Sequence, residues 1–420
     1  MPKRFTRNVS KVKLSCRVGC GLATVAWGLC QGAGQAHAVE AEAKKAEPAP
    51  PAGISVRASG IIKPEMIYST GVETFGKNTL VAPTAAAHPI VDPNNDEWRQ
   101  SFQLQQSRFS LHVGEGSGLE GHAEIDFVDA GFAKSSPIQG ATLRVRLAYI
   151  NYEIAEHQTL MAGQNWDIFS PLNPTMMNYV AVAYQAGNSA FLRPQFAYLN
   201  TAGPIEFAAA IGLRTQNTGP SVGNLEYGLL PTFAARVGYR SGSTWAGVSA
   251  IAASLLTQGP PDKESTTAYA VNAFAKLALG EMVSLQLEGY FGKATGSLGL
   301  LTLGYGSTDI QDAGGWASAV VKLAPEHSVW LNAGAALALD DNDVALGYDS
   351  ATGTRTSING IERNVELRGT YVYSPRKGME FYLEPFMFLT KHKLDPADDP
   401  NDSESDRTAF GTAFGTRLKF

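Results

Sequence analysis

The side chains with the most chemical potential in this 420-residue chain are arginines placed at period two. In 142–152, TLRVRLAYINY, Arg144 and Arg146 fall on one face of an alternating segment, opposite Leu143, Val145, Leu147 and Tyr149. Arg193 lies on a later segment, and the two flank a third that feeds the charge-free stretch 169–190. A guanidinium is planar, permanently charged and able to hold a carboxylate or phosphate through two parallel hydrogen bonds, so such a cluster selects anions. Arg108, Arg236 and Arg368 take the same inward kind of position by alternation. Glu120, Glu124 and Asp126 alternate on the neighbouring segment 119–127, LEGHAEIDF, and offer the plainer alternative: counter-charges that neutralise the arginines and keep the face hydrated. Both readings concern binding and passage. Neither breaks a bond.

Signatures of covalent or metal chemistry are weaker. The glycine-rich 114–118, GEGSG, lacks the Lys-Ser/Thr ending of a phosphate loop and sits between two alternating segments, where a turn belongs. His112 and His122 fall where a hairpin would bring them together, yet two imidazoles with no thiolate and no third imidazole suit a hydrated wall better than a metal centre. His157, His327 and His392 have no matching serine and aspartate spacing for a triad. No catalytic residue, cofactor or metal site is expected. The acidic runs DDND at 340–343 and DPADDPNDSESD at 395–406 read as solvated loops, with divalent cations shared with lipopolysaccharide as the sharper alternative.

The elements that would position the arginines are strands. From residue 54 onward the chain divides into sixteen alternating segments: 54–68, 100–113, 119–128, 141–154, 158–167, 191–200, 204–214, 231–240, 244–254, 266–279, 282–293, 316–323, 327–339, 361–373, 379–390 and 408–420. Their connections alternate between short (114–118, 155–157, 201–203, 241–243, 280–281, 324–326, 374–378) and long (168–190, 215–230, 255–265, 294–315, 340–360, 391–407). Tight turns at one end and extended loops at the other are the mark of an up-and-down barrel crossing a membrane. An arginine facing lipid at mid-bilayer would cost about 2 to 4 kcal/mol, which turns the arginine face inward. The last segment ends TAFGTAFGTRLKF, with Phe410, Phe414, Leu418 and Phe420 on its apolar face. Tyr152, Trp166, Tyr198, Phe207, Tyr239, Trp245, Tyr371, Tyr373 and Phe381 lie near segment ends, as interfacial girdles would. The expected fold is all-β: a sixteen-stranded antiparallel transmembrane barrel over 54–420. Such a lumen is too wide for wall side chains to fill, so it holds water, and 168–190 is the candidate inward constriction loop.

Residues 1–38 read as a secretory signal, with a basic start, an apolar run over 21–29 and the small-residue site Ala36-His37-Ala38; 39–53 follows as an Ala/Pro/Glu/Lys leader. The signal carries all three cysteines, Cys16, Cys20 and Cys30, and six of the 34 basic residues but none of the 39 acidic ones. Cleavage would move the net charge from −5 to −11, which argues against nucleic acid as a partner.

QQSRFSLHV at 105–113, LEGHAEIDF at 119–127, LRVRLAYINYE at 143–153, LMAGQNWDIF at 160–169 and RPQFAY at 193–198, in this order, resemble the first half of the DcaP-type porins and their phosphate-selective relatives. The resemblance implies a homotrimeric outer-membrane channel of a Gram-negative bacterium whose arginine-lined eyelet favours small anions such as dicarboxylates, with Arg144, Arg146 and Arg193 carried over by position. The lysine clusters of phosphate-selective members are missing here, which points away from phosphate. A terminal phenylalanine resembles the signature read by the outer-membrane barrel assembly machinery, so Phe420 is the expected contact. The alternatives are a nonselective or mildly cation-preferring general porin, a lipase-like barrel enzyme, and an adhesin using the long loops.

Overall fold

The computed structural model describes residues 53–70, 98–104, 106–114, 118–127, 143–177, 183–190, 192–213, 221–222, 225–226, 230–256, 265–303, 310–340, 361–392 and 406–420. The signal at 1–38 and all but the last residue of the 39–53 leader lie outside them, as do both acidic runs except Asp340 and Asp406.

Sixteen wall strands form, two of them in two pieces. β1 is Ser55–Ile62 continued by Glu65–Thr70, and β2 is Trp98–Gln103 continued by Arg108–Gly114. Then come β3 (Leu119–Phe127), β4 (Leu143–Ala155), β5 (Gln158–Trp166), β6 (Leu192–Asn200), β7 (Ile205–Gly212) and β8 (Thr232–Ser241). The second half is β9 (Thr244–Leu256), β10 (Ser265–Leu279), β11 (Val283–Lys293), β12 (Gln311–Ala324), β13 (His327–Ala338), β14 (Ile361–Arg376), β15 (Met379–His392) and β16 (Asp406–Lys419). Each pairs antiparallel with its chain neighbour, and β16 returns to β1 through Ile61↔Lys419 and Glu65↔Gly415, so the sheet closes on itself. Phe420 completes the seam: its N–H donates to the Gly60 carbonyl at 3.1 Å, and the Gly60 N–H donates back at 3.0 Å.

Period-two alternation explains the wall. Leu111, Val145, Val237, Val248, Val271, Leu331, Leu367, Phe410 and Phe414 stand exposed on the outside. Glu124, Asp126, Ser249, Asn272, Glu288, Asn332, Glu366 and Glu384 are buried within. In a bilayer this arrangement gives hydrocarbon to the apolar face and satisfies every wall strand's backbone through its neighbours. The breaks in β1 and β2 face one another. Pro64 has no N–H to give the ladder, and the Lys63 ammonium beside it donates to Glu65 at 2.9 Å and Gln106 at 2.5 Å, stitching the two breaks together. β12 starts at Gln311, earlier than the alternation predicts, because Gly314 and Gly315 interrupt the apolar pattern while their backbones still pair with Tyr290 and Gly289.

Three inward placements differ from the alternation. A β-bulge between β3 and β4 pairs Glu124 with Leu147 and Ile125 with Val145, leaving Arg146 as the extra residue. The bulge reverses the faces beyond it. Leu147, expected toward lipid, is 6% exposed and packs inside with Trp166, Ala190 and Leu192, while Ile150 and Tyr152 point out. Trp166 and Trp245 also sit inside, not in a girdle, each under a guanidinium: Arg146 lies 5.0 Å from the Trp166 ring and Arg240 4.5 Å from the Trp245 ring. The third difference lies in the connection 294–315, expected as an external loop. Its start, 294–303, runs inside as a buried strap containing the 3₁₀ turn Thr295–Leu298.

The strap explains the alanines on the inner faces of β7, β8 and β10. Leu298 and Leu300 form one cluster with Ile168, Phe169 and the inward Ala208, Ala210, Ala234, Ala268 and Ala270 of β7, β8 and β10. Methyl-sized wall residues leave the volume that the leucines fill. Burying each leucine is worth about 1.5 to 3 kcal/mol.

Candidate pore constriction

The described part of 168–190 crosses the inner wall, tethered strand by strand. Near its root, the Ile168 carbonyl accepts from Arg236 Nη1 of β8 at 3.2 Å, and the Phe169 carbonyl accepts from Asn272 Nδ2 of β10 at 3.0 Å and from the Ser249 hydroxyl of β9. Further on, the Thr175 N–H donates to Ser318 Oγ of β12 at 2.9 Å, its carbonyl accepts from Asn332 Nδ2 of β13 at 2.7 Å, and the Met177 N–H donates to Glu384 Oε2 of β15 at 2.7 Å. Wall side chains thus supply the hydrogen bonds that an extended segment inside a barrel cannot make to itself.

Beyond 178–182, which lie outside the described residues, the segment turns tightly. The N–H groups of Ala186 and Asn188 both donate to the Ala183 carbonyl at 2.9 Å. Ala183 (φ 51°) and Gln185 (φ 57°) hold left-handed conformations that side chains other than glycine adopt at a cost. The turn fits against β12 and β13 only because the wall lacks side chains there: a methyl group at Gly334 would run into the Ala186 carbonyl, and one at Gly187 into the Gly315 carbonyl.

Tyr184, at the apex, is 3% exposed. Burial pushes its phenol up to about 12 against the pull of Arg146, Arg144 and Arg108, so it remains a neutral O–H donor. Those three arginines share one ladder with the carboxylates between them. Arg144 grips Asp126 with two parallel hydrogen bonds, Nε to Oδ1 at 2.9 Å and Nη2 to Oδ2 at 2.5 Å. Arg146 pairs with Glu124 and lies 3.9 Å from Asp126, while Arg108 reaches Glu124 at 3.7 Å. Glu120 stands nearer the turn end of β3 and is exposed.

The other three sequence candidates lie elsewhere. Arg193 is 2% exposed, with Nε on Asp167 at 2.5 Å, Nη1 on the Leu213 carbonyl at 2.6 Å and Nη2 on the Leu298 carbonyl at 2.7 Å. Arg236 pairs with Glu206 at 3.2 Å. The Arg368 side chain, 0% exposed, is clamped between Glu366 at 2.6 Å and Glu384 at 2.7 Å and lies over Phe386 and Phe388. These are buried ion pairs beneath the inward segments, where removal of one partner strands the other. Alternation identified them as inward but could not tell a side chain facing water from one facing another loop. Asp167 and Asp312, which hold Arg193 and the strap, escaped the alternation because they sit at a strand end and beside paired glycines.

His112 and His122 do meet, stacked at 4.1 Å, with His122 Nδ1 2.9 Å from the Tyr149 hydroxyl. Among the described residues no group of three or more His, Cys, Asp or Glu is arranged to hold a metal ion. The pentapeptide 219–223, GPSVG, has the spacing of a nucleophile elbow, but Ser221 opens a two-residue ribbon paired with Leu225–Glu226, not a strand-to-helix turn.

No protein-family model matches the chain, and neither does any curated protein. Solved structures do. The outer membrane channel DcaP of Acinetobacter baumannii superimposes with a TM-score of 0.64 at 17% identity, covering 90% of this chain and 100% of that one. An anion-selective porin from Comamonas acidovorans gives 0.53 at 14% identity over 88% and 100% of the two chains. OprB of Pseudomonas putida gives 0.53 at 10% identity over 88% and 94%. With its closed sixteen-stranded wall and its inward segment, this chain has the fold of the outer-membrane porins, DcaP among them.

Proposed function

We propose that this chain is a passive outer-membrane channel for small hydrophilic solutes that favours anions, dicarboxylates among them. The observation that carries the reading is the ladder on the inner wall, where Arg108, Arg144 and Arg146 gather around Glu124 and Asp126. Among the described residues, three guanidinium groups and two carboxylates share this stretch of the wall. An anion passing there would meet guanidinium donors, and a dicarboxylate could address more than one of them at once. The name of the anion-selective Comamonas relative supports this direction, and the trimeric channels of the resembled family support a homotrimer. Placement in the outer membrane of a Gram-negative bacterium, among lipopolysaccharide and assembled through Phe420, fits the apolar outer face and the closing strand.

A mildly cation-preferring or nonselective pore is the second reading, favoured by the pairing of each described ladder arginine with a carboxylate. Single-channel recording across a tenfold KCl gradient separates the two. Conductance steps in threes with an anion-selective reversal potential, moved toward zero by Arg144→Ala or Arg146→Ala, support the first. A cation-selective potential favours the second, and a folded barrel without steps sinks both.

A further inference from the structure

Among the described residues, two inward segments occupy this barrel, and one side chain reaches both the strap and the root of the other. The strap 294–303 is buried along its length, with Leu298 and Leu300 at 0% exposure. One end is fastened through Thr295 Oγ1, which donates to Asp312 Oδ1 at 2.6 Å, beside the Tyr290 hydroxyl on Oδ2 at 3.0 Å. Its far part meets the apex of the first segment, where the Gln185 N–H donates to the Leu301 carbonyl at 2.9 Å. Between these points stands Arg193.

We propose that Arg193 is a positioning residue, a latch that holds the strap against the root of 168–190 and so helps set the width of the channel. The width claim rests on the channel reading; the latch itself does not. Three elements converge on the one guanidinium: Asp167 at the end of β5, the Leu213 carbonyl beyond β7 and the Leu298 carbonyl of the strap. The fork geometry of arginine can serve three acceptors in different directions in one plane, which a lysine ammonium at the end of its stem does not reproduce. Because those contacts use every face of the group and leave it 2% exposed, it is not placed to meet a solute. Apolar packing under the strap, by Phe169 and the inward alanines, is non-directional and would tolerate a shifted strap. Directional fixing must come from the polar contacts, and Arg193 supplies the one that joins strap, loop root and wall.

Thiol accessibility tests the latch directly, since Cys16, Cys20 and Cys30 all precede the expected mature start and leave the barrel free of cysteine. Leu300→Cys is introduced alone and together with Arg193→Ala, folded barrels are selected by heat-modifiable migration, and modification by a charged methanethiosulfonate reagent is timed. The thiol should be protected in the single variant and react at least about tenfold faster in the double variant, the accessible fraction rising with loss of strap fixation. Should Arg193→Ala not yield a folded barrel, Arg193→Lys carries the same comparison, because it keeps a charge beside Asp167 but not the three-way fork. Equal rates in both folded backgrounds overturn the latch. In planar bilayers, Arg193→Ala should raise the single-channel conductance; faster labelling with unchanged conductance would overturn the width claim. A barrel that labels as expected and never conducts sinks the channel reading while leaving the latch intact.

Discussion

Glu124 is the most informative residue to neutralise, because its carboxylate is shared by two arginines of the ladder, Arg146 and Arg108 at 3.7 Å. Glu124→Gln keeps the size and an acceptor for the Ser110 hydroxyl, which donates to it at 2.8 Å, and removes one negative charge. A monovalent ion passing about 8 Å away in water feels a change of about 0.5 kcal/mol from one unit charge. At 0.1 M salt, with a Debye length of about 10 Å, screening reduces that to about 0.2 kcal/mol. Anions gain what cations lose, so the anion-to-cation permeability ratio should rise by about twofold at 0.1 M and approach about sixfold in very dilute salt. At 1 M, where the Debye length is about 3 Å, the shift should nearly vanish. Reversal potentials for wild type and variant across matched KCl gradients at low and high salt measure this. An unchanged potential at low salt, or a move toward cations, in a barrel that still shows heat-modifiable migration would refute the placement of the ladder on the permeation path.

Arg368→Ala should cost about 3 to 5 kcal/mol, because it strands the buried Glu366 and Glu384; a urea midpoint of the folded barrel shifted by less than about 1 kcal/mol equivalent would contradict the burial argument. Gly334→Val should displace the Ala186 turn and raise conductance, while the outward neighbours Ala333 and Ala335 leave the barrel able to fold; unchanged conductance would mean the turn does not narrow the path.

The wall was legible from the sequence because alternation reports the side of the sheet on which each residue sits, and turn length reports the end of the barrel at which each connection lies. Each of the sixteen strands could be found that way, down to the pairing face of Phe410 and Phe414. What alternation does not carry is a change of phase inside a strand. The bulge at Arg146 follows no marker in RVRLAYINY, and it is the bulge that turns Leu147 and Tyr149 inward. Nor does periodicity say where a connection goes. The strap left one trace: SLGLLTL, at 297–303, is too apolar for a solvated loop, and several inward positions of β7, β8 and β10 are alanine where a water-lined wall would carry polar groups. Read together, those two anomalies describe a volume and the segment that fills it.

On the proposed channel reading, the filled side also decides which arginines would act on passage. Strap and first segment together cover Arg193, Arg236 and Arg368, each already matched to a carboxylate. A charge pair under an apolar cover contributes little field to the remaining water, since its dipole is short and its surroundings exclude ions. The same cover acts differently on the ladder. On the proposed reading Arg108, Arg144 and Arg146 stay on the water-filled side, where a low-dielectric filling elsewhere in the lumen would confine field lines to the aqueous path. Selectivity in such a barrel therefore depends less on the number of inward arginines than on which of them the inserted segments leave facing water. Neutralising a covered arginine should change stability or width, and neutralising a ladder arginine should change the sign or size of the reversal potential. Arg368→Ala and Arg144→Ala, measured side by side in the same bilayer, give that argument its strictest form: if Arg368→Ala moves the reversal potential as far as Arg144→Ala does, the division of the lumen into a filled and a conducting side is wrong.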